Sequence, residues 1–516
     1  MTDATTAPPD TGGPAPLEHP AVERLATKGP LGARVRRGMA WAGGLRVAMQ
    51  IVRFAGNVAL ARLLQPSDYG LVAIVTAVNG FASLLTELGL AGAVVHARHL
   101  TDRFLSTAFW VNAVTGVVLT ATVMLAAGPI ASFYDQPELV PLLRIASLGF
   151  TLSVGAIHLG VLQRALRFGR LGTIELVGAL ATLVTSLALA TAGVGAYSLV
   201  IGPVVGAIVT TFGYWFSARW WPRHPPDRRS LRELWRFSGG LTAFNLVNYW
   251  SRNADNLLIG KFASAAALGY YGKAYSLMML PLNEVSNVIS RVMFPALVEV
   301  RDNPERFRRA WLKTVRLALL LSMPFSVGVT VTAPALVLTL FGPQWVGMTT
   351  VLALLAASIP PQILGRTLGP VFQAKGRTGL QFRLSLISTA ATVAAIAIGL
   401  NRGIEGVAFA LLIKSWVMVS VPLSVAMKLT DTMAKVLIPV LAKHLSVLLA
   451  MTAAGAVAHF VTHDNHLSIQ VGVPVLTTLA IFTFFATTQE RDLLSHVFRR
   501  VPVSTNSPSP KRTPRI

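Results

Sequence analysis

The 516 residues are 53% hydrophobic and only 13% charged, where a soluble domain carries about 25% charged residues. The chain has no cysteine, which excludes disulfide bracing, thiolate catalysis and Cys-ligated zinc or iron–sulfur centres. The net charge of +23 comes from Lys and Arg set between apolar runs rather than on one basic face, so it does not point to nucleic acid.

Residues 1–35 read as a disordered basic lead, rich in Pro, Thr, Ala and Gly and without a cleavable signal pattern. Apolar runs near the roughly 20 residues that a bilayer requires then occupy 40–62, 69–95, 104–130, 141–163, 173–192, 197–217, 237–260, 268–297, 312–333, 345–370, 382–400, 404–427, 436–460 and 468–488. The chain is therefore expected to be an all-α, polytopic membrane protein of about fourteen transmembrane helices. Spans one to six form an N-lobe at 36–217, and a basic cytoplasmic linker follows at 218–236. Spans seven to twelve form a C-lobe at 237–428, spans thirteen and fourteen fill 429–490, and 491–516 is a disordered basic tail.

Lys and Arg mark alternate connections. With the N-terminus inside, the inner segments hold clusters such as Arg34, Arg36 and Arg37; Arg164, Arg167 and Arg170; Arg223, Arg228, Arg229 and Arg232; and Arg301, Arg306, Arg308 and Arg309. The opposite connections hold only Arg62, Lys261 and Arg402. By the positive-inside rule both termini are cytoplasmic.

A shift of 199 residues lays Arg53 on Arg252, Asn57 on Asn256, Arg62 on Lys261 and Gly70 on Gly269. The register then drifts, but Phe133-Tyr134 is answered by Leu340-Phe341 and Gly169-Arg170 by Gly376-Arg377. Six spans per repeat is an even number, so both halves enter and leave on one face. The repeat is parallel, about an axis along the membrane normal.

Polar stripes recur with it. Span one presents Arg46, Gln50, Arg53 and Asn57 on one helical face, and span seven presents Asn245, Tyr249, Arg252 and Asn256 at the same spacing. Asp255 adjoins Arg252. Span two offers Thr76, Asn79, Ser83 and Glu87, and span eight offers Glu284, Asn287 and Arg291. A charge at mid-bilayer costs about 2.5–3.5 kcal/mol on insertion scales, so these groups are expected to face protein or water. Two readings fit: a salt-bridge network that only holds the lobes together, or a cationic cavity for an anionic substrate with acids for ion coupling. Glu175 and Arg366, near inner span ends, read as interface anchors. His96, His99 and His158 read as interfacial imidazoles and not as metal ligands. No Walker loop, GxSxG or HExxH motif occurs, so no catalytic residue, metal or cofactor is expected.

The run ALARLLQPSDYGLVAIVTAVNGFASLLTELGLAGAVV at 59–95 resembles the opening of the polysaccharide-transport, Wzx-like branch of the multidrug/oligosaccharidyl-lipid/polysaccharide flippase superfamily. Leu105 to Trp110, Asp255 to Gly260, Leu268 to Tyr271 and Met293 to Leu297 carry the same likeness, which covers roughly 35–430. It implies two pseudo-symmetric six-helix lobes around a central cavity, with two extra C-terminal helices, in the bacterial inner membrane. It implies translocation of polyprenyl-diphosphate-linked oligosaccharide by alternating access, as in lipopolysaccharide, capsule or exopolysaccharide assembly. Arg46, Arg53, Asn57, Arg252, Asn256 and Arg291 would meet the diphosphate, and Glu87, Asp255 and Glu284 would couple transport to protons or sodium. Membrane lipids and polysaccharide polymerase or glycosyltransferase proteins are the further partners expected. An ion-coupled drug antiporter of the same superfamily, a membrane polymerase or ligase, and a non-transporting component of a polysaccharide synthesis complex are the rival readings.

Overall fold

The computed structural model describes residues 31–86, 100–232, 255–462 and 466–490, and Pro20, Val94, Leu234, Tyr249 and Asn253 besides. All regular structure among them is helical. The first half contains α1 (Leu31–Leu63), α2 (Pro66–Thr86), α3 (Asp102–Tyr134), α4 (Leu139–Leu152), α5 (Gly155–Arg164), α6 (Phe168–Thr191) and α7 (Ala196–Ala218). The second contains α8 (Ala265–Glu299), α9 (Pro304–Leu340), a 3-10 turn (Pro343–Met348), α10 (Thr349–Ala357), α11 (Ile359–Ala374), α12 (Thr378–Leu400), α13 (Gly403–Met418) and α14 (Ser420–Leu429). The chain ends with α15 (Ala434–Val461) and α16 (Leu467–Gln489).

Among the described residues, eight helices are long and apolar enough to cross a membrane, or up to ten if each of two bent pairs is one span. Each expected span coincides with a helix or a pair of helices over its described residues, except that 87–93 and 95 of the second span and most of the seventh lie outside them. At the seventh, residues 255–262 are helical.

Both bends fall in the fourth helix of a half and both centre on a serine. The α4–α5 pair bends by 41° and the α10–α11 pair by 44°. Carbonyls freed at such a break need donors, because hydrocarbon supplies none. At the first break, Asn112 Nδ2 donates to the Ser153 carbonyl (2.8 Å) and Thr211 Oγ1 to the Leu152 carbonyl (2.8 Å). At the second, Ser326 Oγ donates to the Ala356 carbonyl (2.8 Å) and Ser358 Oγ to the Leu355 carbonyl (2.6 Å). Pro360 and Pro361 open α11 without N–H groups, which explains why the ladder stops there.

The chain folds as two compact units. Unit 1 is Met1–Lys273 with Leu340–Met348 and Ile396–Val407, and unit 2 is Ala274–Thr339, Thr349–Ala395 and Ala408–Ile516. The division does not fall at 218–236. It cuts α8 after Lys273, so unit 1 includes the Arg-poor ends of second-half helices.

At the Arg-rich end of unit 1, Phe104, Leu105, Phe109, Ile157, Val161 and Trp220 pack into one core. His158 belongs to it: it is buried, its Nε2 lies 3.1 Å from the Trp220 carbonyl, and its ring contacts Trp215 and Trp220. The imidazole is thus a buried packing residue and not an interfacial one. The linker is fixed on the start of α3. Trp220 Nε1 donates to Asp102 (2.9 Å), the Arg223 and His224 N–H groups to Ser106 Oγ (3.2 and 3.3 Å), and the Asp227 N–H to Thr107 Oγ1 (2.9 Å).

Asp227 accepts from the Ser230 N–H (3.0 Å) and hydroxyl (3.1 Å). These bonds, the backbone one foremost, with lesser help from the charge of Arg103, hold its carboxyl below the usual carboxylate range. A lowered pKa stabilises the docked linker above the ordinary carboxylate pKa, and that contribution is lost as pH falls through the folded value. Protection of 219–230 from hydrogen exchange, taken relative to the intrinsic rate at each pH, is therefore expected to persist as pH drops to about 4 and to decline below that pH. Asp227→Asn should remove that acid dependence; an unaltered profile in the variant would refute the assignment.

In unit 2, Leu297, Phe307, Trp311, Val315 and Val331 of α8 and α9 share a core with Leu437 and Met451 of α15. Phe485 of α16 packs on Leu320 of α9. A Cβ at Gly455 of α15 would touch Val331 and Thr478, so the last two helices lie tightly against α9. Lys443 Nζ and Glu490 Oε1, 3.0 Å apart, tie the same two helices together.

Candidate functional site

The first polar stripe opens onto a cavity of about 550 Å³ between α1, α6 and α7. Arg53, Asn57, Glu175, Thr182, Ser186 and Thr210 supply its polar lining. Glu175, expected to anchor at the interface, instead lines this cavity and is a hydrogen-bond partner of the Tyr214 hydroxyl. A second cavity, of about 420 Å³, lies between α2, α4 and α7 and gathers Thr76, Asn79 and Ser83 of the span-two stripe. The Asn79 Oδ1 is buried there without a protein donor.

Other stripe members stand apart from the first cavity. Tyr249 donates from its hydroxyl to the Ala77 carbonyl (2.6 Å), which ties span seven to α2. Asp255 is buried; its Oδ2 accepts from Tyr271 (3.2 Å) and its Oδ1 from the Asn256 N–H (2.8 Å). Asn256 is half-buried beside it, and Glu284 is exposed on α8. Arg366, the other expected anchor, reaches Asn283 Oδ1 (3.1 Å) and Ser286 Oγ (3.4 Å) on α8. Arg252 and Glu87 lie outside the described residues, as do the side chains of Arg46 and Arg291.

At the Arg-poor end, unit 1 contains a closure made of equivalent pieces from both halves. A Cβ at Gly70 on α2 would strike the Ala265 carbonyl, and one at Gly269 on α8 would strike the Pro66 carbonyl. These residues pair at the 199-residue offset, Pro66 with Ala265 and Gly70 with Gly269. The absence of Cβ atoms lets the two helix starts meet backbone to backbone.

The flanking cations repeat the arrangement. Arg62 Nε donates to the Leu340 carbonyl at the end of α9 (3.0 Å), and Lys261 Nζ donates to the Phe133 carbonyl near the end of α3 (2.5 Å). Each cation comes from one half and satisfies a helix C-terminus of the other, where carbonyls lack intrahelical partners and the helix dipole is negative. Lys261 also pairs with Asp135 at 2.9 Å. Arg62 and Lys261, counted above as loop charges, are thus cross-braces. Trp345 completes the closure, fully buried, its Nε1 donating to the Ala61 carbonyl (2.7 Å).

Lys273 breaks the symmetry. Its counterpart 199 residues earlier is Ile74, a buried apolar residue. Lys273 is also buried, and its Nζ lies 4.2, 5.0 and 5.4 Å from the rings of Tyr69, Phe341 and Trp345. It donates to Asn57 Oδ1 at 2.5 Å and approaches the Asn57 carbonyl at 3.3 Å. Asn57 therefore both lines the Arg53 cavity and holds the ammonium of the closure. Span eight contained Lys273 in plain sight. A lysine inside an apolar run, more than a turn from its end, is the signal that marks it.

Known proteins offer likenesses to this arrangement. The family model described as "Polysaccharide biosynthesis protein" matches residues 59–350. The "Lipopolysaccharide biosynthesis protein WzxC" of Escherichia coli is 27% identical over 66% of this chain and 70% of its own length. The "Teichuronic acid biosynthesis protein TuaB" of Bacillus subtilis is 28% identical over 58% of this chain and 63% of its own length, so the match spans under two thirds of that relative. The "Succinoglycan biosynthesis transport protein ExoT" of Rhizobium meliloti is 26% identical over 72% of this chain and 75% of its own. Among solved structures, the lipid II flippase MurJ in an inward closed conformation superposes with a TM-score of 0.68 at 15% identity, covering 87% of this chain and 100% of that one. An inward-facing MATE transporter of the MOP superfamily gives 0.61 at 17% identity, covering 74% and 95%. At such identities these two show a shared fold.

Proposed function

Because the chain belongs to the polysaccharide biosynthesis protein family, we propose that it is a flippase that moves a polyprenyl-diphosphate-linked oligosaccharide across the bacterial inner membrane by alternating access. The observation that carries this reading is the Arg53 cavity: a guanidinium on a membrane helix, facing space lined by Asn57, hydroxyl side chains and one acid, Glu175. A lipid diphosphate cannot enter hydrocarbon unaided, because its charge must be desolvated. Guanidinium groups replace that hydration with charge-assisted, bidentate bonds. The polyprenyl tail can stay in lipid throughout, and no bond in the substrate is made or broken, so the chain needs no catalytic residue.

With both termini cytoplasmic, the closure of unit 1 lies on the outer side, and opening it releases the glycan outward. Arg252, Asn256, Arg46 and Arg291 supplement Arg53 and Asn57 on the diphosphate. Asp255, Glu87 and Glu284 couple the cycle to protons or sodium. Polymerase or glycosyltransferase proteins take up the product. The Arg-led stripes disfavour the drug-antiporter reading, since a cation substrate would meet like charges there.

The test is translocation of an undecaprenyl-diphosphate-linked sugar in proteoliposomes. Arg53→Ala combined with Arg252→Ala is expected to lower the rate at least about tenfold, the equivalent of one lost charge-assisted contact. Undiminished translocation would remove the cavity from the mechanism.

A further inference from the structure

The closure joins two near-equivalent surfaces, and one of them carries a charge the other does not need. Ile74 shows that a buried aliphatic side chain serves the packing at this depth. At the matching position Lys273 places an ammonium among Tyr69, Phe341 and Trp345, and its hydrogen-bond acceptors are the two oxygens of Asn57. Among the described residues, no ion pair involves Lys273. Aromatic faces and an amide attract an ammonium, but they do not neutralise it, and a membrane interior penalises a charge without a counter-ion. The closed arrangement therefore holds a cation that an anion would draw away.

The route by which an anion could reach it is built in. Asn57 sits one helical turn beyond Arg53 on the same face of α1, and both line the same cavity. An anion held by Arg53 in that cavity would compete with Asn57 for Lys273.

We propose that Lys273 is the trigger of the outer closure: diphosphate bound at Arg53 becomes the counter-ion of Lys273, withdraws its ammonium from the Asn57 and aromatic cage, and so frees Trp345 and the glycine contacts to part. This rests on the lipid-diphosphate reading above. It makes Lys273 a positioning and specificity residue, because a substrate without anionic charge at that depth would bind without opening the exit.

The cysteine-free sequence makes a direct test available. Ala61→Cys places a reporter thiol at a fully buried position whose carbonyl accepts from Trp345. In proteoliposomes, a membrane-impermeant thiol reagent is applied from the outer side, with and without undecaprenyl diphosphate. With Lys273 present, undecaprenyl diphosphate is expected to raise the modification rate at least about tenfold. In Lys273→Met, the apolar cage closes as it does around Ile74. Basal modification should then be slower than in the parent, and the response to undecaprenyl diphosphate should fall below about twofold.

Faster basal modification in Lys273→Met would overturn the proposal, since Lys273 would then merely hold the closure shut. An equal response in both proteins would overturn it too, and would leave the flippase reading intact. No response in either protein would count against the lipid-diphosphate reading and the trigger together. Should Lys273→Met not reach the membrane, Lys273→Gln keeps a donor for Asn57 without the charge and carries the same expectations.

Discussion

Gly70→Ala and Gly269→Ala are each expected to slow translocation at least about fivefold and to leave the Arg-poor end of unit 1 open to impermeant thiol reagents. A methyl group at either position lands on a backbone carbonyl, Ala265 for the first and Pro66 for the second, and no flexible side chain is available to yield. Overpacking of this kind costs about 1–3 kcal/mol, which lowers the ratio of closed to open states by about five- to 150-fold. The effect should not double in the paired variant, because both glycines serve one contact and coupled sites are not additive. Gly272→Ala is the control: it lies on the same helix, and a Cβ there meets nothing within 4 Å. If Gly70→Ala transports like Gly272→Ala, the glycine contact plays no part in closing.

The second large effect concerns α15 and α16. Lys443→Met removes the partner of Glu490, whose side chain is only 3% exposed. Truncating one member of a buried pair leaves a charge without compensation and destabilises by about 3 kcal/mol or more. Loss of the approach of Lys443 Nζ to the Phe485 ring, 5.2 Å away, adds to it. In detergent the variant should melt at a clearly lower temperature, and adding Glu490→Gln should recover most of the loss. If the single variant melts like the parent, the pair does not hold α15 and α16 together.

The all-helical architecture and the 199-residue register were legible because they depend on local hydropathy and on spacing along the chain. The register reappears physically in Gly70 against Gly269 and in the crossed reach of Arg62 and Lys261. The stripe of span one was legible in the same way, and Arg53 and Asn57 do share a cavity.

What the sequence concealed depends on contacts between distant segments. Asn57 reads as a ligand-binding amide, but its side-chain oxygen is taken by a lysine 216 positions away. Arg62 and Lys261 read as stray loop charges, because a helix C-terminus that needs a donor leaves no mark on the residue that provides it. The breaks in the fourth helix of each half leave little trace in the sequence, since Ser153 and Ser358 sit within apolar runs. The linker reads as a basic tether because Arg dominates its composition, and its fixing to α3 depends on backbone N–H groups that composition does not reveal.

The crossed braces have a consequence for how such a chain could have arisen. Each half carries, at equivalent places, a glycine that meets a carbonyl of the other half and a cation that reaches a helix end of the other half. That is the signature of an isologous interface, in which one surface is its own complement. A single half, paired with a copy of itself, would already possess the whole outer contact, and fusion of the two copies would add nothing to its geometry. What fusion permits is divergence: a lysine at 273 opposite an isoleucine at 74 is a difference that no pair of identical subunits could hold.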